Sequence, residues 1–302
     1  MSDPPAGLLV VGDVVTDVLA RHAGPLPPDA DLPAEITVRA GGSAANTAAW
    51  AATLGADVRL LARAGADAAQ WHAARLIEAG VRPHLRVDVS RPTAVIIVMV
   101  DAAGERTMLT QRGAGARLGP DDWDDALLEG AAWLHVSGYV LFAEPGRALA
   151  RRAIAAARAR GAGVSVDPAS AGDLRRWGPG RFVAATEGVD VLLPNRDEAA
   201  VLTGTADPRE AAARLSGRYG LVVCKLGGDG ALAARAGRVI ACAAAEPVRA
   251  IDSTGAGDAF AAGFLTARLA GMPVADALAA GCRAGARAVT GVGGRPPVPS
   301  PE

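Results

Sequence analysis

The sequence predicts an α/β fold in which a mostly parallel central sheet is flanked by helices. Three observations predict it. Apolar β-like runs alternate with Ala-rich stretches of helical period along most of the chain, the pattern of parallel strands joined by helical crossovers. Those runs are apolar almost throughout, as strands buried on both faces are. The chain has 302 residues, of which 50% are apolar and 21% charged, enough to build one large core and too ordered in composition for disorder.

Taken in order, Leu8 to Val15 reads as the first strand. Ser43 to Leu54 reads as a helix ended by Gly55. Further buried strands fall at Val58–Ala62, Trp133–Val136, Gly163–Val166, Val189–Leu193 and Leu221–Leu226. Helices fit between them at Asp67–Ala79, Pro145–Arg160, Asp197–Leu202 and Pro208–Arg218, with a weaker one at Arg181–Ala185. Ala231–Ala234 and Val239–Ala243 form a hairpin about Gly237, and two consecutive helices follow at Ala256–Ala270 and Val274–Val289. The Gly- and Pro-rich tail from Gly291 to Glu302 is irregular.

Two places break the rhythm. Arg21 to Arg39 is rich in Pro, Asp and Gly and enters a short alternating piece at Ile36–Val38. Between Val81 and Thr110 two β-like segments, Ala94–Val100 and Arg106–Thr110, meet at Asp101-Ala102-Ala103-Gly104, a hairpin signal with no helix after it. Short strands outside a wound sheet suit a flap over its active edge, so segments of about 13–39 and 84–112 are read as lid insertions in a single domain, 1–302. Ordinary edge strands of the main sheet would give the same pattern.

Composition excludes several function classes. Thirty-one basic against 32 acidic residues leave a net charge of −1, which argues against a nucleic-acid surface. The longest strongly apolar stretch, Ala94 to Val100, is far short of the roughly 20 residues of a membrane span. The N-terminus lacks a basic start and an apolar h-region, so a cytoplasmic protein without membrane partners is expected. Cys224, Cys242 and Cys282 are widely spaced and read as small buried hydrophobes. His22, His72, His84 and His135 lack metal-ligand spacing and read as core or surface residues. The run Asp121-Asp122-Trp123-Asp124-Asp125 reads as a solvated helix start around one buried Trp.

Chemistry concentrates in Asp252-Ser253-Thr254-Gly255-Ala256-Gly257-Asp258, between a β-like run and a long helical pattern. Gly255 and Gly257 let successive N–H groups converge where the helix dipole is positive, a nest for an anion such as a phosphoryl group in transfer. A carboxylate at 258 would repel a bound phosphate unless it takes a proton from an attacking hydroxyl. A helix cap beside a tight turn would produce the same residues. Gly41-Gly42-Ser43-Ala44-Ala45-Asn46 is a second Gly-rich turn opening a helix, where Asn46 offers a donor and an acceptor to hydroxyls. Neither stretch fits G-x-G-x-x-G after a first strand or G-x-x-x-x-G-K-[ST], which disfavours a dinucleotide fold and a P-loop.

The two stretches in this order resemble the paired signatures of the PfkB (ribokinase-like) family of carbohydrate kinases. The resemblance runs over essentially the whole chain: Gly12 and Asp17 resemble its N-terminal G-x-x-x-x-D, Asn195 to Glu198 its N-x-x-E, and Leu226 to Gly230 its L-G-x-x-G turn. It implies a ribokinase-like three-layer sandwich with a small β lid, and an ATP-dependent kinase acting on a hydroxymethyl group of a sugar, polyol or sugar acid. It implies Asp258 as the base, and the amides of Gly255, Ala256 and Gly257 as an anion hole. Asp17, Gly41, Gly42 and Asn46 would hold the sugar, and Asn195 and Glu198 would position Mg²⁺ through its waters. Gly227 and Gly230 would let the nucleotide approach. Lys225, the one lysine of the chain, would reach an ATP phosphate unless it is an exposed strand-end lysine.

The resemblance also implies a K⁺ site at Asp252, Thr254, Ala288 and Gly293, although the usual hydroxyl ligand near the tail falls at Pro297. Ribokinases proper carry a lysine where this chain has Ser43, which argues against plain ribose. Arg106 and Arg112 stand beside the flap, either facing a substrate anion or solvating an edge. A nucleoside kinase of the same fold is the alternative, and 4% aromatic content disfavours it. A non-catalytic sugar- or nucleotide-binding regulator is the alternative of another class. A homodimer formed through an exposed lid edge is a further expectation.

Overall fold

The computed structural model describes residues 7–24, 28–29, 31–101 and 106–297. In chain order the strands are β1 (Gly7–Val11), β2 (Val15–His22), β3 (Ala34–Gly41), β4 (Val58–Gly65), β5 (Val81–Asp88), β6 (Ala94–Val100) and β7 (Arg106–Gln111). They continue as β8 (Ala131–Ser137), β9 (Gly163–Asp167), β10 (Val191–Leu192), β11 (Leu221–Lys225), β12 (Ala231–Arg235) and β13 (Arg238–Ala243). The helices are α1 (Ser43–Thr53), α2 (Ala69–Glu78), α3 (Gly146–Ala159), α4 (Ala171–Trp177) and α5 (Pro179–Ala185), then α6 (Arg196–Thr203), α7 (Pro208–Leu215), α8 (Ala256–Leu269) and α9 (Val274–Val289).

Nine strands form the main sheet in the order β13-β12-β11-β10-β9-β8-β1-β4-β5. Its pairs are parallel from β5 through β11, and β12 and β13 close it antiparallel. Because side chains alternate along a strand, Leu8 and Val10 of β1 enter one core with α1, α2, α8 and α9, while Leu9 and Val11 enter the other with α3 to α7. The result is a three-layer sandwich. Helices α8 and α9 touch closely because Gly263 and Gly281 carry no side chain: a Cβ at Gly263 would lie 2.7 Å from the Ala280 carbonyl oxygen.

Four strands form a second sheet, β3-β2-β6-β7, over the carboxyl end of the first. The expected first strand, Leu8 to Val15, is therefore two elements: the chain leaves the main sheet after Val11, and Val15 opens β2, paired to Gly41 and Ala94. The second lid segment also begins later than expected. Residues 84–88 belong to β5, in parallel register with β4, so the small sheet takes up the chain only at Ala94. Helix α4, seven residues capped by the Ser170 hydroxyl, went unpredicted. The turn at 102–104 lies outside the described residues, while β6 and β7 pair antiparallel on either side of it. Asp121 to Asp125 forms short 3₁₀ turns; Trp123 is buried as expected, but Asp122 is buried too and bonds Arg63 (2.8 Å), so it is no solvated charge. Cys224 and Cys282 are buried, whereas Cys242 is exposed on the edge strand β13.

Candidate active site

Two helix N-termini meet where the small sheet overhangs the main one. Helix α8 starts after Gly255, whose φ of +75° an L side chain would strain, and Asp258 stands in its first turn. Helix α1 starts after Gly42, at φ +101°, where a Cβ would lie 2.6 Å from the Asp13 carbonyl oxygen. Ser43 and Asn46, three residues apart on α1, face Asp258 together. The Ser43 hydroxyl donates to Asp258 Oδ1 (2.8 Å) and Asn46 Nδ2 donates to Oδ2 (2.9 Å). Burial pushes the Asp258 carboxyl up to about 7 despite these two donors. A carboxylate poised there suits proton abstraction near neutral pH.

Asp258 opens on a cavity of about 460 Å³. The small sheet roofs it with Asp17, Leu19, Ile96, Val98 and Met108, and its floor carries Asp13, Asn195, Glu198, Asp167 and Lys225. A neighbouring cavity of about 430 Å³ shares Asp13, Ile96, Met108 and Tyr139 with it. Asn46 Oδ1 is buried and, among the described residues, has no hydrogen-bond partner, which leaves an acceptor for a hydroxyl donor. Asp17 is pushed up to about 6 by burial, with Asp13 adding to the rise. Gly41 is not among the lining residues; a Cβ there would lie 1.9 Å from an Asp17 carboxylate oxygen, so it makes room for that side chain.

Asn195 and Glu198 form the capping box of α6: Asn195 Oδ1 accepts from Glu198 N (2.9 Å), and the Asn195 backbone N–H donates to Glu198 Oε2 (2.8 Å). The N-x-x-E spacing is thus a helix start and, at the same time, two oxygen-bearing side chains on the cavity wall. Burial pushes the Glu198 carboxyl upward. Lys225 is not an exposed strand-end residue. It is buried and ion-paired with Asp167.

Other expected residues lie at the margin. The Ala256 N–H donates to the Ser253 carbonyl (3.3 Å), so of the glycine-turn amides it is already engaged. Gly227 and Gly230 shape the β11–β12 turn, with φ of +63° and +91°, and do not line the cavity. Asp252 accepts from Thr254 N (2.9 Å) and Gly293 N (3.0 Å), and Arg39 donates to the Val292 carbonyl beside them. The Ala288 carbonyl, at the end of α9, accepts from Gly291 N (3.2 Å). Arg112 lines the second cavity, bonded to Asp173 Oδ2 and the Tyr139 carbonyl at 3.2 Å each; the side chain of Arg106 lies outside the described residues.

Sequence reasoning missed Asp13 and Asp167. Asp13 accepts from the N–H groups of Ser43 and Ala44 at 3.2 Å each, capping α1 from another element. Both are acids just past or at the carboxyl end of a parallel strand, where ligands of α/β sheets gather, and that placement was the available signal. His72 and His135 are buried, with hydroxyl partners on Thr16 (3.1 Å) and Ser165 (2.9 Å), and burial lowers each to about 4.

Clustered carboxylate and amide oxygens beside a glycine nest fit a hydrated divalent cation next to a phosphate chain. The comparisons agree with that chemistry. The profile of the pfkB family carbohydrate kinases matches residues 6–301. A fructokinase of Klebsiella pneumoniae is 33% identical over 90% of this chain and 87% of its own. A 2-dehydro-3-deoxygluconokinase of Thermoproteus tenax is 30% identical over 97% of this chain and 91% of its own. The crystal structure of an adenosine kinase from Sinorhizobium meliloti superposes with a TM-score of 0.88 at 24% identity, covering 97% of this chain and 96% of that one. The fold is ribokinase-like.

Proposed function

The chain belongs to the pfkB family of carbohydrate kinases, and we propose that it transfers the terminal phosphoryl group of ATP to a hydroxymethyl group of a sugar or sugar acid. One observation carries the reading: Asp258, half-buried and pushed up to about 7, stands in the first turn of α8 at the wall of a roofed cavity, oriented by Ser43 and Asn46.

Asp258 takes the proton of the attacking hydroxyl as its oxygen bonds to phosphorus and ADP leaves. Asn46 and Asp17 orient the acceptor through its other hydroxyls, Asn46 with the unpartnered Oδ1. The first-turn amides of Gly257 and Asp258, which a helix leaves without carbonyl partners, face the developing charge with Gly255. Asn195 and Glu198 would hold Mg²⁺ through its waters, each carboxylate oxygen of Glu198 keeping a lone pair beyond the capping box. Bound there, Mg²⁺ neutralises phosphate charge. The apolar roof of Leu19, Ile96, Val98 and Met108 excludes water, the competing acceptor.

The test is ADP release with ATP and Mg²⁺ over pentoses, hexoses, keto-sugar acids and nucleosides. Sugars or sugar acids are expected to drive release, and Asp258→Asn to lower kcat at least a thousandfold, on the order expected for a lost base and its geometry, while nucleotide still binds. Near-normal turnover by that variant discards the assigned base. Nucleosides as the sole acceptors would transfer the reading to a nucleoside kinase, and no acceptor at all to a regulator.

Asp252 and Thr254 before α8 meet Gly293 after α9, and a monovalent cation there would take its remaining ligands from carbonyls such as that of Ala288. Pro297 brings no hydroxyl, and the Arg39 guanidinium already occupies the Val292 carbonyl. At most partial activation by K⁺ is expected. Equal rates with K⁺ and a bulky organic cation, at fixed Mg²⁺ and ionic strength, would remove the site. The small sheet is assigned a second role as the contact of a homodimer.

A further inference from the structure

We propose that Asp167 is a positioning residue for phosphoryl transfer: its carboxylate holds the Lys225 ammonium against the Gly257 end of the glycine turn, so that a cation already stands where the phosphoryl group arrives. The inference rests on the phosphotransfer reading above.

Strand topology creates the pair. Asp167 ends β9 and Lys225 ends β11, with β10 between them, so their backbones are two strand spacings, about 10 Å, apart. β10 is only two residues long, and the chain beyond it stays beside β11, the Lys225 N–H donating to the Pro194 carbonyl (2.9 Å), while the long lysine stem reaches past it to Asp167 Oδ2. The other oxygen, Oδ1, is fixed by the Ala169 N–H (3.0 Å). Both side chains are deeply buried, at 11% exposure for Lys225 and 7% for Asp167. The ammonium lies 3.4 Å from where a Cβ on Gly257 would stand, which places the cation directly beside the turn.

Burial by itself drives the ammonium toward the neutral amine; Asp167, with Glu198 and Asp258, keeps it protonated. Asp167 therefore aims the Lys225 chain, one carboxylate oxygen tied to the Ala169 N–H and the other to the ammonium. The ion pair is retained here for placement, since a buried pair contributes little net stability.

Steady-state kinetics of Asp167→Asn, Lys225→Met and the double variant test this, with folding followed by thermal melts. Asp167→Asn is expected to lower kcat about tenfold or more, with the acceptor KM within about threefold, as for a lost charge-assisted contact made in the transition state. Because Asp167 acts through Lys225, the double variant should be no slower than Lys225→Met. Both of these remove the buried ammonium and so avoid stranding it, and their comparison stands even if Asp167→Asn alone does not fold. Rates that multiply in the double variant, or a rise in KM with kcat intact, overturn the proposal.

A second readout is the acid limb of the kcat–pH profile. Asp258 is faced by Asp167 and Lys225 from the main sheet, with Glu198 on α6, Asp13 after β1 and Tyr139 also on the cavity wall. Asp167→Asn should move that limb down and Lys225→Met should move it up, because one removes a negative and the other a positive neighbour. Shifts of the same sign overturn the proposal. A wild-type protein that phosphorylates nothing in the acceptor panel would instead refute the kinase reading itself.

Discussion

Burial alone would keep the Asp258 carboxyl protonated at neutral pH; the Ser43 hydroxyl and the Asn46 amide pull the other way, and the balance lies at about 7. Since this value is raised above the ordinary 3.8, the folded chain binds the proton more tightly than the unfolded one. The resulting stabilisation is complete below about 3.8 and is lost as pH rises through about 7. Asp258→Asn should therefore melt higher than the ligand-free wild type at pH 8, by an amount on the order of a few kcal/mol at most. The difference should shrink toward pH 5. Thermal melts of both proteins across that range check it, and a constant difference would show that Asp258 is not a strained charge. The role proposed for Asp258 came from the two motifs taken together, since a helix cap beside a tight turn offers the same residues. Its orienting partner Ser43 was not legible in the linear chain, because nothing in the residue order brings 43 beside 258.

Elements read unequally well. Strands and helices of the main sandwich announce themselves through long apolar runs and helical periods, and Gly55 ends α1 where expected. β2 and β3 do not. Their burial patterns mix intermediate and exposed residues because one face roofs a cavity and the other faces outward. That outward face bears Ile36, Val38, Ile97 and Leu109, at 63%, 57%, 37% and 55% exposure. Four exposed large apolar side chains on one small sheet motivate the homodimer contact proposed above. Light scattering should give twice the chain mass for the wild type, and Val38→Asp should halve it. A monomeric wild type at micromolar concentration would remove the contact.

For the molecule as a whole, residue order and composition determined the architecture. Alternating buried strands and helices gave a mostly parallel sheet flanked by helices from local pattern, and the family resemblance added the three-layer sandwich with its lid. The tertiary structure alone decided which of those turns share a cavity. Asp13 and Asp167 stand at the carboxyl ends of parallel strands, Glu198 and Asp258 in the first turns of α6 and α8, and Asp17 on β2 of the small sheet. They converge only through the tertiary fold. It also decided charge states, and it turned Lys225 inward to Asp167. The physical reason is that periodicity is a property of neighbours along the chain, whereas burial, ion pairing and proton affinity depend on neighbours across space.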